Sequence, residues 1–237
     1  MFNKVILSAV ISMAATGANA SLMISEIVDA TLPGGLPKYV ELTNTGATAV
    51  DLSSYSIGNF NNGGTNLGGG TSTALTGTLA AGSSYIISYE NGDTVGSSQF
   101  FTTYGFDADN IEMGSFINGD DVVVLYQGIA TGDGSDATLI DVFGVIGTDG
   151  TGESWEYADG YAYRLASDSN ATFTESEWFF SGVNGLETGD DVAELALILA
   201  NTTPGTHDVS AVPVPAAAWL FGTALFGMAG IRRKVTV

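Results

Sequence analysis

Few residue types in this 237-residue chain could carry covalent chemistry, because it contains one histidine, His207, and no cysteine. Without thiols there can be no disulfide, thiolate metal site or cysteine nucleophile. His207 follows Thr203-Pro204-Gly205-Thr206, a turn sequence, and reads as a solvated turn residue rather than a triad base or zinc ligand. Carboxylates are the abundant reactive groups. Asp120 with Asp121, Glu153 with Glu156, and Asp190 with Asp191 could act as acid and base if the fold set them opposite other acids. Glycoside hydrolysis needs a defined carboxylate separation, which adjacency in the chain does not provide. Among 26 acidic residues such neighbours arise by chance, and no catalytic residue is assigned. Oxygen-rich loops at Asp133-Gly134-Ser135-Asp136 and Asp107-Ala108-Asp109-Asn110 suit a hard cation, although neither has EF-hand spacing. Asp133 and Asp136 are therefore the candidate calcium ligands, and no other metal or cofactor is expected. Asn170-Ala171-Thr172 and Asn201-Thr202-Thr203 match the glycosylation tripeptide, which is too short a pattern in an Asn- and Thr-rich chain to assign a modification.

The clearer signals concern chemistry done to the chain. Residues 1–4 carry a positive start, 5–15 are apolar, and Ala18-Asn19-Ala20 places small residues before Ser21. This is the plan of a secretory leader cleaved after Ala20. At the other end, Val212-Pro213-Val214-Pro215-Ala216 precedes 16 uncharged residues, 216–231, and then Arg232-Arg233-Lys234. An apolar stretch followed by basic residues reads as a membrane stop with a cytoplasmic end. At about 1.5 Å per residue the helix would reach about 24 Å, slightly short of a hydrocarbon core of about 30 Å.

Between these ends the composition changes. Only Lys38 and Arg164 are basic, against all 26 acidic residues, so the middle carries a formal charge of −24. Such a charge repels phosphate backbones, and nucleic acid is not an expected partner. Its aromatic and β-branched content argues for a folded core rather than a disordered acidic segment.

Short Val, Ile, Tyr and Phe runs separated by Gly, Asn, Asp and Ser clusters indicate an all-β sandwich or barrel. Strands are expected near 22–28, 39–43, 50–57, 85–89, 122–127 and 139–143, with a pair at 154–157 and 161–165 joined through 158–160. In 39–43, Val40 and Leu42 share one face and Glu41 and Thr43 the other, so one side needs a core. The unbroken Val122 to Leu125 run predicts a central strand covered on both faces. The glycine- and asparagine-rich 59–73 stretch reads as a mobile loop, 99–104 as a short helix, and 190–200 as either helix or strand.

Ile24-Ser25-Glu26-Ile27, Tyr39-Val40-Glu41-Leu42-Thr43-Asn44 and Val50-Asp51-Leu52-Ser53-Ser54-Tyr55 resemble the opening of a lamin tail domain. The resemblance continues through Asn118-Gly119-Asp120-Asp121, Ile140-Asp141-Val142-Phe143-Gly144 and Trp178, covering roughly 21–208. It implies an immunoglobulin-like β fold and a binding or scaffolding module. The tail, with its proline pair, Trp219-Leu220-Phe221-Gly222 and basic end, resembles the PEP-CTERM class of sorting signals in its Val-Pro-Leu-Pro-Ala variant. That resemblance implies a Gram-negative source and processing by a membrane-embedded exosortase. Val214 stands where the variant has leucine, which leaves the particular enzyme open.

The expectation is an all-β, immunoglobulin-like sandwich over 21–209, preceded by a leader at 1–20. After it come a linker and sorting signal at 210–237, with a motif at 212–216, a single transmembrane helix at 216–231 and a basic end at 232–237. The chain would cross the inner membrane, be held there transiently by its tail, and finish at the cell surface or in extracellular matrix. There it would bind a surface protein, a polysaccharide or another copy without catalysis. A secreted enzyme with an unrecognised acidic site and a calcium-dependent adhesin are the alternatives.

Overall fold

The computed structural model describes residues 22–89, 95–111 and 117–207. The expected leader with Ala18, Ala20 and Ser21, the motif 212–216, the apolar stretch 216–231 and Arg232, Arg233 and Lys234 lie outside the described residues. Among the described residues, no helix is long and apolar enough to cross a membrane.

The described residues form eleven strands: β1 (Leu22–Leu32), β2 (Leu36–Asn44), β3 (Val50–Asp51), β4 (Tyr55–Phe60), β5 (Thr73–Ala74), β6 (Thr78–Leu79), β7 (Ser84–Tyr89), β8 (Val122–Gln127), β9 (Thr138–Phe143), β10 (Tyr161–Arg164) and β11 (Trp178–Phe180). Two α-helices, α1 (Gln99–Tyr104) and α2 (Asp191–Asn201), and three single-turn 3-10 helices at Leu52–Ser54, Gly68–Gly70 and Glu175–Glu177 accompany them. A five-stranded sheet runs β11-β10-β1-β2-β7, a four-stranded sheet runs β5-β4-β8-β9, and β3 pairs with β6. All of these strand pairs are antiparallel.

The two large sheets enclose one core. Ile24, Ile27, Val40 and Leu42 contribute from the first sheet, and Ile57, Phe60, Val123, Leu125 and Phe143 from the second. β8 is central and buried from Val122 through Tyr126, as its uninterrupted apolar run predicts. A second layer covers the outer face of the five-stranded sheet, where Val28, Tyr39, Ile86 and Tyr161 pack with Phe100, Leu186 and Ile198. The expectation that 39–43 needs a core on one side only is therefore corrected: Tyr39, Glu41 and Thr43 are all buried. The polar side chains misled because their partners come from distant chain. Glu41 accepts from Ser25 Oγ at 2.7 Å and from the Gly205 amide at 2.6 Å.

Several boundaries shift for local reasons. The expected strand at 50–57 is broken by a turn at Leu52–Ser54, where the Asp51 carboxylate accepts from the Ser53 amide, the Asx pattern that diverts backbone from a ladder. The expected strand at 154–157 is a run of turns, and 158–160 is no hairpin, since β10 pairs with β1 and β11 instead. Trp155 and Tyr157 imitated strand alternation because both are buried, and both meet the ring of Phe143 edge-on. The 59–73 loop is pinned to the sandwich: Leu67 is buried in the core and its amide donates to Gly132 O at 2.7 Å.

α1 forms as expected, with Ser98 Oγ accepting from the Phe101 amide at 2.9 Å and Gly105 ending it at a φ of 80°. These are a serine N-cap and a left-handed glycine terminus. The 190–200 segment is a helix, started by Asp190, whose carboxylate accepts from the Val192 and Ala193 amides.

Gly119 shows why one expected motif has the residues it does. A Cβ there would lie 1.9 Å from the backbone of Ala158, a contact that only backbone displacement relieves. Gly119→Ala is expected to cost about 3 kcal/mol or more, at the upper end for overpacking, read as a lowered urea midpoint with unchanged m-value.

Candidate functional site

The two cations of the middle region do not reach the surface: Lys38 and Arg164 are both buried and ion-paired. Arg164, on β10, pairs with Asp141 of β9, donates from Nη1 to Glu177 Oε2 at 3.0 Å and from Nε to Ile24 O at 3.3 Å, and lies 4.4 Å above the ring of Trp178. Asp141 in turn accepts from the Ile24 and Asn170 amides at 2.8 and 2.9 Å. One buried acid thus ties the four-stranded sheet to β1 of the five-stranded sheet. Burial raises its carboxyl, and Arg164 opposes that rise.

Lys38 pairs with Asp29 one strand away, and its Nζ donates to Asn118 Oδ1 at 3.4 Å. Burial pulls the ammonium down to about 8, while Asp159 and Asp121 favour its charge. Asp121 accepts from the Asn118 and Asn62 amides at 2.7 and 3.0 Å, and burial raises it to about 6. With both cations enclosed, the charged side chains left on the described surface are carboxylates.

A cavity of about 530 Å³ opens between β10 and the chain that follows α2, lined by Glu26, Tyr161, Tyr163, Arg164, Asn201 and His207 among others. Local sequence explains the placement. A register shift between Ile24 and Glu26 puts a bulge in β1, and such a bulge re-aims the side chains beside it. Glu26 consequently lies with Tyr39, whose hydroxyl donates to its Oε2 at 2.5 Å, and with the Thr203 amide, which donates at 3.2 Å. Burial pushes Glu26 up to about 8, and nearby Glu41 adds to the rise against the Tyr39 and Thr203 hydrogen bonds. The carboxyl is therefore largely protonated at neutral pH.

Tyr161 and Tyr163, two residues apart on β10, have rings 13° from parallel at 6.4 Å, and Phe179 on β11 stacks on Tyr163 at 4.7 Å and 20°. Cross-strand register places Tyr163 opposite both Glu26 and Phe179.

Of the acids weighed in the sequence, several complete their own turns. Asp133 accepts from the Ser135 amide, and Asp136 accepts from the Thr131 amide and hydroxyl. Glu156 accepts from the Gly152 amide. Among the described residues, no group of three or more His, Cys, Asp or Glu side chains could hold a metal ion. His207 lines the cavity rather than a bare turn. Sequence reasoning missed Glu26, Glu41 and Asp141 as a buried set. The available signal was an acid inside an otherwise apolar strand, which demands a buried partner.

A family model of the lamin tail domain matches residues 15–147. Neither the curated proteins nor the solved structures contain a match to the chain. The matched span is shorter than the 21–208 suggested by the motifs. It holds Glu26, Glu41 and Asp141, whereas β10, β11 and α2, which supply the rest of the cavity, lie beyond it. The model nevertheless covers more than half of the sequence and agrees with the sandwich architecture, so the chain belongs to the lamin tail domain family.

Proposed function

We propose that the chain is an exported surface module: a leader at 1–20 cut after Ala20, a lamin tail sandwich that binds without catalysis, and a tail that sorts it. The tail holds the chain at the inner membrane until an exosortase-type enzyme acts near 212–216, after which the sandwich is displayed at the surface or released into matrix. Charge segregation carries the reading. Both cations within the sandwich are buried, while the remaining basic residues are Lys4 in the leader and Arg232, Arg233 and Lys234 at the end. That distribution suits an acidic exterior domain flanked by membrane-topology signals.

An acidic hydrolase is less well supported. Glu26 lines the cavity, but its neighbour Glu41 is occupied by Ser25, Thr43 and the Gly205 amide. One protonated acid with no second carboxylate left to face it does not make the paired-carboxylate site of a glycoside hydrolase.

Fractionation of cells carrying separate tags on sandwich and tail tests the sorting. A chain ending at Ala211 should fold and be released, and Arg232, Arg233 and Lys234 all changed to Glu should weaken retention. Pro213→Ala with Pro215→Ala should insert normally yet accumulate uncut precursor. Tail loss at the parental rate in that double variant would remove the assignment of 212–216 as the processing site.

A further inference from the structure

We propose that the cavity between β10 and the chain following α2 binds an uncharged sugar unit of a polysaccharide, an inference that rests on the binding role above and gives it a ligand class. The first support is size. A volume of about 530 Å³ falls within the usual range for small-molecule sites and accommodates a pyranose ring with its substituents.

The second is the apolar surface offered. Tyr161 and Tyr163 line the cavity from one face of β10, and Phe179 of β11, which is not part of the lining, stacks on Tyr163 and steadies its ring. Aromatic rings on one wall suit the C–H surface of a sugar ring, whereas the cages that hold quaternary ammonium groups enclose the cation from several sides. Tyrosine adds a polar tip to each apolar ring, and the Tyr163 hydroxyl has no hydrogen bond to another described residue.

The third is unspent polar capacity. Asn201 accepts from the Tyr161 hydroxyl at 3.3 Å through Oδ1 and donates to Leu197 O at 2.8 Å through Nδ2. A carboxamide has two donors and two lone pairs, so one of each remains. Thr206 donates to Thr203 O at 3.3 Å and keeps its hydroxyl lone pairs. Paired donors and acceptors of this kind match sugar hydroxyls, which are both.

Charge fixes the class. The guanidinium in the wall, Arg164, is already bound by Asp141, Glu177 and Ile24 O, and the carboxyl in the lining, Glu26, holds its proton near neutrality. The surrounding exterior is acidic, which disfavours uronate, sulfate and phosphate groups. The ligand the site fits is polar, ring-shaped and neutral.

The test is calorimetric titration of the full chain with cellohexaose, laminarihexaose, xylohexaose and mannohexaose, and with polygalacturonate as the anionic counterpart. At least one neutral probe should bind saturably. Tyr163→Ala and Asn201→Ala should each weaken binding at least about tenfold, and Tyr163→Phe, which keeps the ring, by less than about threefold. Thermal midpoints taken in parallel separate lost binding from lost folding, and the milder Asn201→Ala and Tyr163→Phe variants keep the comparison valid if Tyr163→Ala unfolds. No binding of any neutral probe at millimolar concentration, binding untouched by both alanine variants, or a preference for polygalacturonate would overturn the assignment. Export and tail cleavage are read by fractionation, so either proposal can fail while the other stands.

Discussion

Asp141→Ala is expected to destabilise the sandwich by about 3–5 kcal/mol, the range for breaking a buried ion pair by removing one partner. That is a large fraction of a typical domain stability of about 5–15 kcal/mol. The variant leaves Arg164 enclosed beside Glu177, and the Ile24 and Asn170 amides lose the acceptor that binds them. Equilibrium urea unfolding measures the loss directly. Asp141→Asn should cost less, because its amide oxygen can take the place of Oδ1, which accepts from the Asn170 amide and Arg164, while its NH2 then opposes the Ile24 amide that Oδ2 had accepted from. Arg164→Met should be less harmful in the Asp141→Asn background than alone, since the neutral partner no longer needs the cation. Strict additivity across that cycle would mean that the pair is energetically uncoupled, contrary to the geometry.

Stability is expected to fall as pH rises from about 4.5 to about 8, the opposite of ordinary acid denaturation. Glu26 is raised from 4.5 to about 8, so through that window the folded chain holds a proton that the unfolded chain has released. Stability then decreases with pH, by up to about 1.4 kcal/mol per unit for this one group. Asp121, raised to about 6, and the raised Glu41 and Asp141 act in the same direction. Lys38 has the reverse sign. Its folded value of about 8 lies below the ordinary 10.5, so above pH 8 the unfolded chain binds the extra proton and stability recovers. Thermal midpoints between pH 4.5 and 9 should therefore pass through a minimum near pH 8, while at higher pH the tyrosines raised by burial, Tyr39, Tyr104 and Tyr157 among them, lower stability again. Glu26→Gln should flatten the falling limb and raise the midpoint at pH 8. A midpoint in Glu26→Gln that still falls as steeply as the parent's would assign the slope to other groups.

Those buried charges mark where the sequence was readable and where it was not. β8 follows directly from Val122 to Leu125, because an apolar run with no alternation has one easy solution, a strand covered on both sides. α1 follows from Ser98, Gly105 and the aromatic pair Phe100 and Phe101. α2 was ambiguous because Val192, Leu195, Ala196 and Leu199 fit helical spacing while Leu197 to Leu199 favour a strand. The Asp190 cap and the burial of Ile198 under the outer face of the sheet decided it. Trp155 and Tyr157 looked like a strand because burial of alternate aromatics is the same signal whether the backbone is paired or turning. The cavity was invisible for a topological reason. Its walls come from position 26, from 161–165 and from 200–207, and only the pairing of β1 with β10 and the return of α2 bring them together. In the Asp133 and Asp136 loop, oxygens close in sequence accept hydrogen bonds from their own turn.

Enclosing both cations has a consequence for crowds of these molecules. Like-signed carboxylates dominate the described exterior, so two sandwiches repel until the ionic atmosphere intervenes, at about 8 Å in physiological salt. No basic patch on one described face can latch onto an acidic patch on the next, which disfavours head-to-tail stacking driven by charge. Packed densely, such particles behave as a fixed polyanion. Mobile counterions accumulate among them, water follows by Donnan osmosis, and the layer swells in dilute salt and contracts when salt or a divalent cation is added.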